Sequence, residues 1–291
     1  MTLMIAAIVT GIGLGSMYGL IALGFQITYS VSSTVNFAQG SVVMLGAVLG
    51  YVFTERLDLI WWLAYPLAIV CCGFFGMFVE ALLVRPFVAR GSEAWLMATV
   101  AGGIFLDNAV LFSFGNEPRT LPSALAETTW QFAGTGIYPQ QLLIPIAAVV
   151  VALSLHFLFR KTLHGRALLA VVQNTQAARL MGINTTMMIS GSFAISAMLA
   201  GCAGLLIAPL FSVHSDMGTL FGLKAFAVAI LGGMTSASGV MLAGFIYGLT
   251  EALVTAYLGS SSTYIVVFSL VILALTAKPD GLFGQPAVKK V

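Results

Sequence analysis

The chain has 291 residues, of which 59% are hydrophobic and 8% charged, against roughly a quarter charged in soluble domains. A protein of this size has no interior able to hide that much apolar surface, and a mean hydropathy of +1.03 maintained along the whole length assigns most of the chain to hydrocarbon. The formal charge of +2 is too slight to imply nucleic acid as a partner, so the expectation is an all-α polytopic transmembrane bundle, one domain over residues 1–291, surrounded by membrane lipid.

No charge of either sign precedes Glu55, so the amino terminus lacks the basic region of a cleavable signal peptide and the first apolar helix is expected to be retained. Spans are expected over residues 3–30, 35–53, 59–84, 94–114, 142–159, 187–211, 221–231, 240–258 and 264–277. The seventh is too short to cross about 30 Å of hydrocarbon at about 1.5 Å per residue. It is either lengthened by residues 219–222 or is a half-helix buried in protein, which leaves about eight full spans and one short or broken element.

Within the first span Gly11, Gly15 and Gly19 recur on one helix face, a small-residue row that lets helix backbones approach. Gly201 with Gly204, and Gly244 with Gly248, read the same way. Next, Asn36, Phe37, Ala38, Gln39, Gly40 and Ser41 put polar and flexible residues where the second span begins. Two readings stay open: a helix broken at membrane depth along a substrate path, or a cytoplasmic turn with Asn36 as N-cap. Cys71, Cys72 and Cys202 sit in apolar runs without metal or disulfide spacing and read as packing residues.

Glu80 lies near a span end and is expected to pair with Arg85 as an anchor, whereas Asp107, beside Asn108, is deeper and suits helix-to-helix hydrogen bonding or transport. The loop 115–141, with Pro118, Pro122, Trp130 and Pro139, suits an ordered cap. The loop 160–186 is basic, and its stretch 171–181 has no helix breaker and is expected to form one short helix. Lys224 is expected to snorkel from the end of its span, and Glu251, mid-span, to meet a partner helix. A second break is expected from Gly232 and Gly233 to Gly239.

Basic residues cluster at Arg85 with Arg90, at Arg160, Lys161, Arg166 and Arg179, and at Lys278, Lys289 and Lys290. The alternate loops carry Glu55, Arg56, Asp58, Glu117, Arg119, Glu127 and Asp216. The positive-inside rule makes the first set cytoplasmic, with the amino terminus outside and the carboxyl terminus inside, provided residues 224–233 carry the chain across. Enzyme signatures are missing: no HExxH, nucleophile elbow, P-loop or paired catalytic carboxylates, and His156, His164 and His214 are scattered. No catalytic residue, metal site or cofactor is expected.

The stretch His164, Gly165, Arg166, Ala167, and then Gln173, Asn174, Thr175, Gln176, Ala177, Ala178, Arg179, Leu180, Met181, Gly182, Ile183 and Asn184, resembles the coupling segment of LivH-type permeases of branched-chain amino-acid importers. Further matches follow in family order: residues 18–24, Asn36 to Gly40, Glu80 with Arg85 and Pro86, Lys224 to Phe226, Leu231 to Gly233, and Pro279 to Gly284. The resemblance implies the permease subunit of an ABC importer: a periplasmic substrate-binding protein, a second permease of LivM type, and two ABC ATPase subunits on which ATP hydrolysis resides. Gln173, Asn174, Gln176, Ala177, Ala178, Arg179, Leu180, Met181 and Gly182 then couple to the ATPase. Asn36, Phe37, Gln39, Gly40, Ser41, Lys224, Gly232 and Gly233 border the path, and ATP-driven closure pulls on residues 171–181. Some relatives carry an acidic residue where this chain has Gln173 or Asn174, which removes a salt bridge there. The alternatives are a permease of the same family for other amino acids, amides or urea, a sugar permease of the same superfamily, and an ion-coupled secondary transporter. For that last class only Asp107 and Glu251 are suitably deep carboxylates.

Overall fold

The computed structural model describes residues 2–115, 117–132, 135–279 and 281–284; Lys289, Lys290 and Asp280 lie outside them. In chain order the helices are α1 (Thr2–Ser32), α2 (Gln39–Tyr51, continued by a π turn Val52–Arg56) and α3 (Trp61–Val79, continued by a π turn Glu80–Val84). Then come α4 (Arg85–Val88), α5 (Trp95–Phe114), α6 (Ala124–Glu127), the hairpin β1 (Trp130–Phe132) and β2 (Thr135–Ile137), and α7 (Pro139–Lys161). The chain continues as α8 (Leu163–Gln173), α9 (Thr175–Leu180), α10 (Thr185–Ile207), α11 (Met217–Gly232), α12 (Ala237–Leu258) and α13 (Ser260–Ala277). Among the described residues seven helices are long and apolar enough to cross a membrane, with Met217–Gly232 a shorter apolar one, so this is a multi-pass membrane protein.

Helix α1 is the axis of the bundle, with α12, α10, α11 and α7 packed around it. Its residues from Gly15 to Phe25 are buried without a gap, because neighbours cover it on every side. The approach to α12 is close enough that a Cβ on Gly15 would lie 2.6 Å from the Gly244 carbonyl oxygen. The α2–α11 crossing is similar: a Cβ on Gly40 would lie 2.6 Å from the Gly218 oxygen. Small residues set these distances because lipid supplies no hydrophobic force between helices and close packing must do so instead.

With 16 residues, α11 spans only about 24 Å at 1.5 Å per residue, yet it runs from one end of the bundle to the other. Before its start, Val213 exchanges backbone hydrogen bonds with Arg119 at 2.7 and 3.0 Å, and Phe211 packs on Phe221. At its end, the Met234 carbonyl accepts from Ser30 Oγ at 3.4 Å and the Leu231 carbonyl from the Leu282 amide at 2.7 Å. Helix α11 thus includes residues 219–222 and is preceded by the partly buried approach 208–216, in which Ala208 and Val213 are fully covered, while it remains shorter than the seven long helices. The loop after α5 forms the expected cap. The Arg119 side chain donates to the Phe114 carbonyl at 2.9 Å and lies 4.4 Å above the Phe114 ring.

Three expectations need correction. Residues 171–181 are not one helix: the chain breaks at Asn174, whose Oδ1 accepts from the amides of Gln176 and Ala177 at 3.0 Å each. Asn competes for backbone donors and so starts a new helix instead of continuing the old one. The stretch from Gly232 to Gly239 is not a break within the membrane but a hairpin turn. There Gly233 takes φ 88°, and Ser236 caps α12 by accepting from the Gly239 amide at 3.1 Å. Lys224 does not snorkel, as described below.

Candidate functional site

Between α1 and α2 the chain turns back into the bundle without helical structure. Thr34, Val35, Asn36 and Ala38 are all buried. The side chain of Gln39 reaches Gly24 of α1, eight residues before the end of that helix. Free backbone donors at that depth cost several kcal/mol each, and the sequence supplies partners for them. The Ala38 amide donates to Asn36 Oδ1 at 3.1 Å, and the Phe37 amide to Thr99 Oγ1 of α5 at 3.4 Å. Asn36 is thus the acceptor of a local turn, not an N-cap; Ala38 holds the cap position without a side-chain bond. The stretch is therefore a buried, non-helical turn between α1 and α2, and the Asn36 cap of the second reading is not formed.

Gln39, fully buried, is held by α10. Its Nε2 donates to the Ser196 carbonyl at 2.9 Å, and Ser196 Oγ donates to its Oε1 at 3.1 Å. Beyond Gln39, the residues Phe37, Gly40 and Ser41 line a cleft of about 250 Å³, closed by Phe25 of α1, Gly103 and Asp107 of α5, and Thr219, Gly222 and Phe226 of α11. Asp107 is half-buried and has Ser41 as its polar partner. Asn108 points away from the cleft and donates to its own helix, at the Ile104 carbonyl, at 2.8 Å. Of the two, Asp107 is the residue that faces another helix, at Ser41 of α2.

Lys224 belongs elsewhere. Its Nζ lies 2.5 Å from Glu251 Oε1 and donates to the Tyr18 hydroxyl at 3.3 Å, with the ring of Tyr264 5.1 Å away. Both charged residues are less than a tenth exposed. Lys224 sits on the side of α11 that faces α1 and α12, so the nearest charge is Glu251 and not water. The pair borders a second cavity, of about 460 Å³, with Leu3, Thr10, Thr255 and Thr263. Gly232 and Gly233 reach neither cavity. They pack against Val240 and Gly281 at the end of the bundle.

Glu80 and Arg85 pair as expected, with Arg85 Nε donating to Glu80 Oε1 at 3.1 Å. Sequence reading missed the third member, Ser190 of α10, which donates to Glu80 Oε2 at 2.7 Å and accepts from Arg85 Nη2 at 2.8 Å. Ser190, Ser192 and Ser196 are hydroxyls in a largely apolar helix, and that was the available signal.

At the same end, the segment α8–α9 is pinned by a small core of Val31, Leu168, Val171, Ala178 and Met188. Ala178 faces inward, while Gln173, Asn174, Gln176, Ala177, Arg179 and Gly182 are exposed. Leu180 and Met181 are 88% and 83% exposed. Gly182 closes the segment at φ 83°, a left-handed value that favours glycine.

Residues 7–277 match the family model described as "Branched-chain amino acid transport system / permease component". The chain is 34% identical to the high-affinity branched-chain amino acid transport system permease protein LivH of Escherichia coli (strain K12), over 97% of this chain and 96% of that protein. It is 31% identical to the permease protein BraD of Pseudomonas aeruginosa, over 98% and 97% of the two chains. With the probable permease LivH of Methanocaldococcus jannaschii it shares 29%, over 91% and 88%.

Proposed function

Because the chain belongs to the branched-chain amino acid transport permease family, we propose that it is the membrane subunit of an ABC importer for branched-chain or related hydrophobic amino acids. It resides in the bacterial cytoplasmic (inner) membrane with its amino terminus outside and its carboxyl terminus inside. Support for that orientation comes from Arg85, Arg90, Arg160, Lys161, Arg166, Arg179 and Lys278, which sit at one end of the chain's crossings, where the positive-inside rule puts the cytosol. Two ABC ATPase subunits, a LivM-type second permease and a periplasmic substrate-binding protein complete the assembly. ATP is bound and hydrolysed on the ATPases.

The observation that carries the reading is the pair Leu180 and Met181, held out from the bundle end by a segment whose other side, at Ala178, is buried. Two large apolar side chains projecting beyond the membrane need a protein cover. The ATPase supplies it and moves α9, which is joined through Gly182 to α10. That helix carries Ser190 and Ser196, the residues bonded to Glu80 and Gln39.

The translocation path in this reading follows the cleft of Phe37, Gly40, Ser41 and Asp107, along the face of α5 that carries Gly103 and Asp107. A carboxylate turned to lipid at mid-span costs about 3 kcal/mol or more, so this face suits water, substrate or the second permease better than lipid. A zwitterionic amino acid carries no net charge, which fits a path with a single acidic group. Family members for other amino acids, amides or urea differ in the receptor that delivers the substrate. Calorimetry on the cognate binding protein, against a panel of amino acids and amides, tests which of these is carried.

The coupling assignment is tested with Leu180→Asp and Met181→Asp, measuring uptake and co-purification of the ATPase. Both are expected to fall together, and wild-type values for both remove the assignment. Ala178 is unsuitable for this purpose, because a charge there disrupts the segment's own core.

A further inference from the structure

Helices α7 and α12 each pack on α1 but scarcely touch each other. The gap between them is a cleft of about 580 Å³, with Leu23 and Ile27 of α1 as floor and Val149, Leu153, Met241 and Phe245 as walls. Its polar groups gather at one end: Gln26, His156, Arg160 and Ser238. Arg160 occupies the last turn of α7, next to Lys161, and takes part in neither of the two ion pairs among the described residues. Helix α7 is the least buried of the seven long helices, and its outer ridge of Ile146, Val150 and Phe157 is exposed and apolar, as a lipid-facing surface must be.

A trough that is apolar toward the middle of the membrane and cationic at its mouth has the polarity of one phospholipid. The mouth lies where headgroups lie, at the end of the membrane-crossing helices. A guanidinium there matches a phosphate in shape and charge, and anionic lipids attract basic residues at the membrane surface. We propose that the cleft between α1, α7 and α12 binds one anionic phospholipid, with an acyl chain in the trough and the phosphate on Arg160, flanked by His156 and Ser238. Because Leu169 of α8 also borders this cleft, the lipid contacts the segment that leads into α9. The inference is independent of which substrate the permease carries.

The full chain is reconstituted in phosphatidylcholine vesicles doped with phosphatidylglycerol bearing a photoreactive acyl chain, or with phosphatidylcholine bearing the same group, and crosslinked peptides are mapped. Crosslinks from the phosphatidylglycerol probe are expected in α1, α7 and α12 in about tenfold excess over the phosphatidylcholine probe, the equivalent of one charge-assisted hydrogen bond. Arg160→Gln is expected to remove the excess and Arg160→Lys to keep most of it, which separates loss of charge from misfolding. Ala237→Trp, at the exposed mouth, is expected to lower crosslinking by both probes, and Arg90→Gln to change neither. Equal yields from the two probes in the unsubstituted chain, an excess that survives Arg160→Gln, or crosslinks confined to the outer ridge of α7 overturn the proposal. So does exclusion of both probes by a second protein chain in the assembled complex, which assigns the cleft to a partner helix.

Discussion

Replacing Lys224 by Met tests whether the Lys224–Glu251 pair is a structural lock. The substitution keeps most of the side-chain volume and removes the ammonium 2.5 Å from Glu251 Oε1. Glu251 Oε2 is buried and has no hydrogen-bond partner among the described residues, so the variant leaves both carboxylate oxygens without a cation. Breaking a buried pair from one side costs about 3–5 kcal/mol. The pair borders a cavity and is not enclosed by packed side chains on every side, so the lower figure applies. At roughly 2–4 °C per kcal/mol for a chain of this size, the expected loss is about 6–12 °C in the midpoint of thermal aggregation in detergent. Lys224→Met combined with Glu251→Leu removes both charges and is expected to recover most of the loss, since apolar replacements of buried pairs are often neutral. Uptake by the double variant is expected to follow its stability. A single variant as stable as the parent chain, or a double variant worse than either single, refutes the lock. A stable double variant with no uptake moves the pair into the transport path.

Gln39→Ala removes two buried hydrogen bonds and leaves Ser196 Oγ without its acceptor. The expected cost is about 1–3 kcal/mol, with uptake falling more than ATPase association, compared by transport assay and pull-down. Gly40→Val drives a side chain into the Gly218 carbonyl and is expected to abolish accumulation of folded protein on fluorescence-detected gel filtration. Gly191→Ala, where a Cβ meets nothing within 4 Å, is expected to leave folding intact and to add up to about 1 kcal/mol of helix stability. Asp107→Asn keeps a hydrogen-bonding group beside Ser41 and is expected to retain more uptake than Asp107→Leu. Equal loss in the two variants shows that the charge itself is needed.

Much of the fold could be read from the sequence, because a span needs only length and hydropathy. The bond between Glu80 and Arg85 could also be read, since the two residues are five apart and share a helix end. Contacts across the bundle could not. Lys224 and Glu251 are 27 residues apart on different helices, and Gln39 and Ser196 are 157 apart. Helices this uniformly apolar show almost no amphipathic face from which to read which side meets which neighbour. The Asn174 break was visible as a residue type but not as an event, since Asn inside a helix and Asn capping one look alike until the backbone is known. That the helix stops after α1 was legible from the polar run at Asn36, but not that the turn is buried. Its burial rests on Thr99 and Ser196, which are absent from any local pattern.

The most direct test of the account is the side of the membrane on which the segment α8–α9 lies. In a background freed of Cys71, Cys72 and Cys202, Gln176→Cys is treated with a membrane-impermeant maleimide in right-side-out and inside-out vesicles. Labelling in inside-out vesicles only, and protection there by bound ATPase, is the result expected. Labelling from the outer face contradicts orientation, coupling and transport mechanism together.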